Sequence, residues 1–143
     1  GVPVSSSRIR KLLTAGQVHD ANRLLGYDYT MTGVVVHGNG IGTKIGFPTA
    51  NLQFQTEKLL PAIGVYAANV YVDVEQYSAI VNIGNNPTIG NSQVSVEAHL
   101  IDFQMDLYGM SISVVFRNFI RSEQKFASSE ELQQQIKKDI QSI

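Results

Sequence analysis

The sequence contains no cysteine, which excludes disulfides and thiolate metal centres and leaves a reducing, cytoplasmic setting as the default expectation. Its three histidines, His19, His37 and His99, are too scattered to predict a zinc site. Charge of one sign is also missing. Eleven Lys and Arg against twelve Asp and Glu leave a net charge of −1, which exerts no long-range pull on a polyanion, so no nucleic-acid partner is expected. No apolar run approaches the roughly 18 residues of a membrane span, and the N-terminal residues lack the layout of a signal peptide, so no membrane partner is expected either. Internal repeats and low-complexity segments are absent.

What is present is the composition of a folded chain: 43% apolar and 16% charged residues over 143 positions, room for one core and an appendage. "SSSRIRKLLTAG" supplies N-cap hydroxyls, Ile9, Leu12 and Leu13 at helical spacing, and Gly16 as a stop. "QVHDANRLLG" repeats the plan with Val18, Ala21, Leu24, Leu25 and the closing Gly26. From Tyr29 the texture turns to β. "YTMTGVVVHG", "GVYAANVYV", "YSAIVNIG", "VSVEAHLID" and "SISVVFRNFI" are short Val-, Ile-, Tyr- and Phe-rich runs parted by Gly, Asn, Asp and Pro. No helix-length segment separates them, so the expectation is an antiparallel barrel or sandwich, most economically a sheet closed on itself. "SSEELQQQIKKDIQSI" then predicts a final helix, with a capping box from Ser128 to Glu131 and a narrow seam of Leu132, Ile136 and Ile140.

The densest local signal is "GIGTKIGFPTANL", residues 40–52. Gly40, Gly42 and Gly46 let a backbone approach a ligand, and Pro48 then pins the chain. Neither familiar phosphate loop fits. A P-loop needs lysine and a hydroxyl after its last glycine, where Phe47 and Pro48 stand, and a dinucleotide fingerprint would need its third glycine one residue earlier. There remains a glycine-rich flap leading to an extended piece in which Thr49 and Asn51 share a face. A hydroxyl and a carboxamide oxygen side by side are hard ligands suited to Mg²⁺ bridging nucleotide phosphates, with loop amides and Lys44 as a cradle. The plain alternative is a glycine hairpin with Thr49 and Asn51 as strand-edge turn residues.

"GFPTANL", preceded by the strand "GVVVHG" and the glycine-rich flap, resembles the signature of riboflavin kinases, whose Pro-Thr-Ala-Asn element is the most specific part. "GVYAANVYV", "VNIGNNPTIG", "VEAHLIDFQMDLYG" and "FIRSEQKFASSEELQQQIKKDI" resemble that family's successive segments in order, so the likeness covers residues 29–140. The opening "VSSSRIRKLLTAGQVHDANRLLG" resembles the last stretch of the adenylyltransferase half of bacterial bifunctional riboflavin kinase/FAD synthetases. The resemblance implies a mainly β fold, a closed antiparallel Greek-key-like six-stranded barrel with a C-terminal helix and a short N-terminal helical segment. It further implies a helical remnant or linker over residues 1–26, following an adenylyltransferase domain, and a riboflavin kinase domain over residues 27–143.

The implied reaction is phosphoryl transfer from ATP to the ribityl 5′-hydroxyl of riboflavin, giving FMN and ADP, with Mg²⁺ as the metal and ATP as co-substrate. FAD synthesis is not expected of these residues. By resemblance, Thr49 and Asn51 hold the metal, and Glu97 accepts the hydroxyl proton. Without the resemblance, Glu97 reads as an exposed strand carboxylate, sharing a face with Ser95 and His99 while Val96, Ala98 and Leu100 take the other. His99 and His37 are lesser alternatives for a base, each read first as a structural histidine. The nucleotide side is expected to involve Gly40, Gly42, Lys44, Gly46, Pro48, Thr49 and Asn51, with Asn85 and Asn86 as further contacts, although "NIGNNPTIG" is also an ordinary turn composition. Met105, Leu107, Tyr108 and Phe126 are expected to border the flavin ring, with Arg121 and Glu123 at its polar edge. One departure stands out: Thr43 occupies the flap position where many relatives carry an arginine. The rival readings are a flavin-binding regulatory module without turnover and a β-barrel interaction domain that binds no flavin.

Overall fold

The computed structural model describes residues 6–36, 50–54, 60–86, 93–101, 107–122 and 128–141. Two helices lead, α1 (Ser6–Thr14) and α2 (Val18–Leu25). Six strands follow: β1 (Thr30–Val36), β2 (Ala50–Gln53), β3 (Gly64–Val72), β4 (Glu75–Asn86), β5 (Gln93–Leu100) and β6 (Ser111–Arg121). Helix α3 (Ser129–Gln141) comes last. The strands close into an antiparallel barrel in the order β1-β2-β5-β4-β3-β6. Strands β3, β4 and β5 form a meander, and β6 returns to lie beside β3, which is the Greek-key step. The predicted closed six-stranded barrel with flanking helices is therefore the observed fold. Closure leaves no free edge in a chain rich in β-branched runs.

Alternation decides what fills the barrel. Met31 and Val35 of β1, Tyr66, Ala68 and Val70 of β3, Ala79, Val81 and Ile83 of β4, Val96, Ala98 and Leu100 of β5, and Ile112, Val114 and Phe116 of β6 form one buried cluster. Its two largest side chains meet edge to face, the rings of Tyr66 and Phe116 lying 5.5 Å apart at 82°, and the exposed Phe119 adds a second such contact to Tyr66, at 5.5 Å and 77°, the geometry that the ring quadrupoles favour. Strand β6 is bulged against β3 at Val65/Tyr66 and Ala67/Ala68, and such bulges bend a strand and increase its twist. Gly33 of β1 is there for want of space, since a Cβ would come within 2.7 Å of the Phe54 ring.

The two N-terminal helices belong to the same core. Leu13, Val18 and Ala21 are buried within the barrel's own cluster, and the Ala62 amide donates to the Leu13 carbonyl at 2.9 Å. Gly26 ends α2 in the left-handed conformation at φ 79°, where a Cβ would be strained. Asn22 is the polar pin of this arrangement. Its Nδ2 donates to the Phe116 carbonyl at 2.8 Å, and its Oδ1 accepts from the Tyr29 amide at 2.7 Å. At the other terminus, Ser128 caps α3 as its sequence predicts, Oγ accepting from the Glu131 amide at 3.2 Å. Ile136 and Ile140 of the expected seam are half-buried, but the most deeply buried described residue of α3 is Asp139 at 2% exposure.

Replacing Asn22 by Ala strands two buried backbone groups and is expected to cost about 2–4 kcal/mol in urea unfolding. A second expectation concerns alkali. Burial pushes the Tyr66 phenol from 10.0 up to about 12, and its hydroxyl donates to the Ala62 carbonyl at 2.6 Å. A neutral phenol favoured by the fold contributes stability in full below pH 10.0 and loses it as the pH rises through about 12. The urea midpoint should fall across that window, and Tyr66→Phe should flatten the fall while lowering the neutral-pH stability by about 1 kcal/mol.

Candidate functional site

Strand β5 lies between β2 and β4, and its register builds a polar row. Glu97 stands opposite Asn51 of β2 and opposite Asn82 of β4. Directly opposed residues share a face, with Cβ atoms about 4.5–5.5 Å apart. All three are partly buried, whereas their chain neighbours Ala50, Leu52, Val96, Ala98, Val81 and Ile83 fill the barrel interior. Asn51, Glu97 and Asn82 therefore line up on the outer face, with Ser95 and His99 of β5 on the same side as Glu97. The alternation expected of β5 is the one observed.

The row continues in both directions. Asn51 pairs with Val36 of β1, and Asn82 pairs with Val65 of β3, which in turn faces Arg121 of β6. Arg121 is engaged by α3. Its Nε donates to Asp139 Oδ1 at 3.0 Å and its Nη2 to Oδ2 at 2.9 Å, a forked pairing, while Nη1 donates to the Ser122 carbonyl at 3.1 Å. Gln135 adds a bond to Asp139 Oδ1 at 3.0 Å. The carboxylate is almost wholly buried and the guanidinium largely so, at 2% and 18% exposure. This pair fastens the last helix to the strand end at the row's far side.

Of the expected flavin-side residues, Leu107 is buried within the barrel cluster, and Tyr108 is 53% exposed. Their turn hangs from β1 through the Gly109 amide on the Val35 carbonyl, at 2.9 Å, and the Val35 amide on the Met110 carbonyl, at 2.9 Å. It thus sits beside Val36, at the Asn51 end of the row. Asn85 and Asn86 extend β4 by pairing with Val94 and Gln93. Gly40, Gly42, Thr43, Lys44, Gly46, Pro48, Thr49, Met105, Glu123 and Phe126 lie outside the described residues, as does His37.

Two residues in this region escape a reading of the sequence. Asp139 falls on the same helical face as Leu132 and Ile136, a charge within the apolar seam, and Arg121 makes it a buried anchor. Asn82 sits in a turn-like string, yet it is in the middle of β4, and its Oδ1 is buried with no hydrogen-bond partner among the described residues. Leaving such an atom unpaired costs about 1–3 kcal/mol. The signal for it was present in the period-2 pattern: Asn82 falls on the face opposite Val81 and Ile83.

The donors gathered here are oxygen-bearing. The carboxamide oxygen of Asn51 is a hard donor of the kind that suits a divalent cation, and the Glu97 carboxylate opposite it is a proton acceptor. Among the described residues no group of three or more His, Cys, Asp or Glu comes together.

A family model described as "Flavokinase: Riboflavin kinase" matches residues 25–143. The bifunctional riboflavin kinase/FMN adenylyltransferase of Bacillus subtilis is 43% identical over 141 residues, covering 96% of this chain and 45% of the relative. That of Escherichia coli K12 is 42% identical over 140 residues, covering 97% and 44%. The chain thus spans less than half the length of these curated relatives. Among solved structures, a Streptococcus pneumoniae protein described as a macrolide-efflux protein superposes with a TM-score of 0.92 at 38% identity, covering 96% of this chain and 45% of that one. The riboflavin kinase of Trypanosoma brucei superposes with a TM-score of 0.54 at 26% identity, covering 78% and 74%.

Arg121→Ala leaves the Asp139 carboxylate buried without its cation and is expected to cost about 3 kcal/mol in urea unfolding. Arg121→Lys should recover part of that loss, because an ammonium lacks the planar fork. Replacing both partners, by Met and Leu, should recover most of it.

Proposed function

Because the chain belongs to the riboflavin kinase family, we propose that it transfers the γ-phosphoryl group of ATP to the 5′-hydroxyl of riboflavin. The ribityl oxygen forms the new bond to phosphorus, the bond between that phosphorus and the β,γ-bridging oxygen breaks, and ADP leaves. The hydroxyl proton goes to a base. Glu97 is that base in this reading, supported by the register that sets it beside Asn51 on the outer face of the barrel. A carboxylate serves here if it is ionised and within hydrogen-bond reach of the hydroxyl. Phosphoryl transfer depends chiefly on alignment and on neutralising the transferring oxygens.

Thr49 and Asn51 would hold the divalent cation, which we take to be Mg²⁺. The cation supplies charge neutralisation at the phosphates. Asn51 fixes one oxygen donor on a rigid strand, in register with Glu97, so the donor and the base keep a constant spacing. The flap residues Gly40, Gly42, Lys44, Gly46 and Pro48 would cradle the nucleotide, with Asn85 and Asn86 nearby. Tyr108, Met105, Glu123 and Phe126 would border the flavin. We assign Leu107 and Arg121 a supporting part in that border, the first from the core and the second by anchoring α3 through Asp139. We place this reaction in the cytoplasm, where ATP is at hand and a chain without cysteine needs no oxidising compartment.

Residues 1–26 we read as the link to a preceding adenylyltransferase domain and residues 27–143 as the kinase domain, in keeping with relatives about twice as long. The same reading makes that domain the partner of this one. FAD synthesis would require it.

Incubated with riboflavin, ATP and Mg²⁺, the protein should form FMN and ADP in equal amounts. Glu97→Gln should lower kcat by about 10²–10⁴-fold, and Asn51→Ala should raise the Mg²⁺ concentration needed for half-maximal rate. FMN binding without ADP release at saturating ATP would instead support a non-catalytic flavin-binding module. Near wild-type turnover in both variants would remove the roles given to these residues.

A further inference from the structure

We infer that Asn82 is a further substrate-positioning residue: its carboxamide oxygen accepts a hydrogen bond from a hydroxyl of the ribityl chain next to the hydroxyl facing Glu97. The inference rests on the riboflavin kinase reading and deepens it. Its starting point is an energetic anomaly. Asn82 Oδ1 is buried and has no hydrogen-bond partner among the described residues, although buried carbonyl oxygens are almost always paired. A fold selected for stability alone would place an apolar side chain here, as it does one strand along at Val65. An unpaired acceptor on a polar row points to a donor that arrives with the ligand.

The chemistry of the acceptor narrows the donor. Phosphate oxygens at neutral pH are acceptors themselves and would be repelled, so the triphosphate is a poor match. A sugar alcohol is a good one, because it presents hydroxyls on successive carbons. Asn82 is the direct cross-strand neighbour of Glu97, and two acceptors at that spacing match two hydroxyls along one polyol chain. Glu97 takes one proton, while Asn82 holds the chain so that the correct hydroxyl faces the carboxylate. On the other side of Asn82 the row becomes apolar at Val65 and then meets the anchored Arg121, so the polar stretch is bounded there. Asn51 bounds it at the opposite end. The row thus reads as metal side, base and polyol side, in that order.

The test compares wild type with Asn82→Leu, close in shape but without the acceptor, and with Asn82→Ala in case the larger side chain prevents folding. Riboflavin, ATP and Mg²⁺ are varied separately in steady-state assays of FMN formation, and urea unfolding is followed without ligands. The expected result is a fall in kcat/KM for riboflavin of about 10- to 100-fold, the worth of one buried hydrogen bond. KM for ATP and the half-saturating Mg²⁺ concentration should stay within about twofold, since those contacts are elsewhere. The urea midpoint should be unchanged or higher, because an unpaired buried oxygen has been removed.

Three results would overturn the inference. Unchanged kcat/KM for riboflavin would make the oxygen idle. A raised Mg²⁺ requirement or ATP KM would make Asn82 a metal or nucleotide contact. A lowered urea midpoint in both variants would make it a structural residue whose partner lies in the folded chain. Failure of the wild type itself to form FMN is a separate outcome, and it would refute the kinase reading along with this one.

Discussion

The arrangement depends on the register of one central strand. Strand β5 carries Val96, Ala98 and Leu100 into the barrel, and a slip of one residue would exchange that face for Ser95, Glu97 and His99. Burying a carboxylate and an imidazole in an apolar core is far more costly than any local preference, so the alternation leaves one pairing. Once β5 is fixed, β2 and β4 have no freedom either, because Leu52 and Ile83 face inward from neighbouring ladders. The polar row is thus a by-product of packing the core. The hydrophobic effect supplies the precision with which three polar side chains are set side by side.

Both ends of the molecule reinforce that frame. Helices α1 and α2 contribute Leu13, Val18 and Ala21 to the barrel's cluster, and Asn22 ties the start of β1 to β6. Helix α3 is fastened to β6 by a forked ion pair, and its Ile136 and Ile140 are half-buried. A forked pair adds one fixed orientation to that packing.

Much of the fold was legible from the sequence because its signals are local. Glycine and asparagine punctuate the strands, Gly26 ends α2, and Ser128 caps α3. The face of β5 that carries Glu97 followed from period-2 alternation alone. What was not legible depends on contacts between distant residues. A compositional break near residue 26 is visible in the sequence, but the packing of Leu13 and Val18 into the barrel's cluster is not. A helical wheel places Asp139 on the apolar seam of α3, but only the third dimension brings Arg121 to it. The pairing of Glu97 with both Asn51 and Asn82 is likewise a property of the closed sheet.

The contrast between Asn22 and Asn82 is the most instructive of these. Both are asparagines with buried polar atoms, and both occupy positions where an apolar residue would be cheaper to desolvate. Asn22 is satisfied at both ends of its carboxamide, by a carbonyl at 2.8 Å and an amide at 2.7 Å, so its burial is repaid within the fold. Asn82 Oδ1 receives nothing from the described chain. The same residue type therefore marks a structural joint in one place and an unfinished hydrogen bond in the other, and the accounting of buried polar atoms separates them where sequence cannot. An unfinished bond one strand from a carboxylate, on the outer face of a rigid barrel, is the kind of local cost that a binding site retains because its ligand repays it.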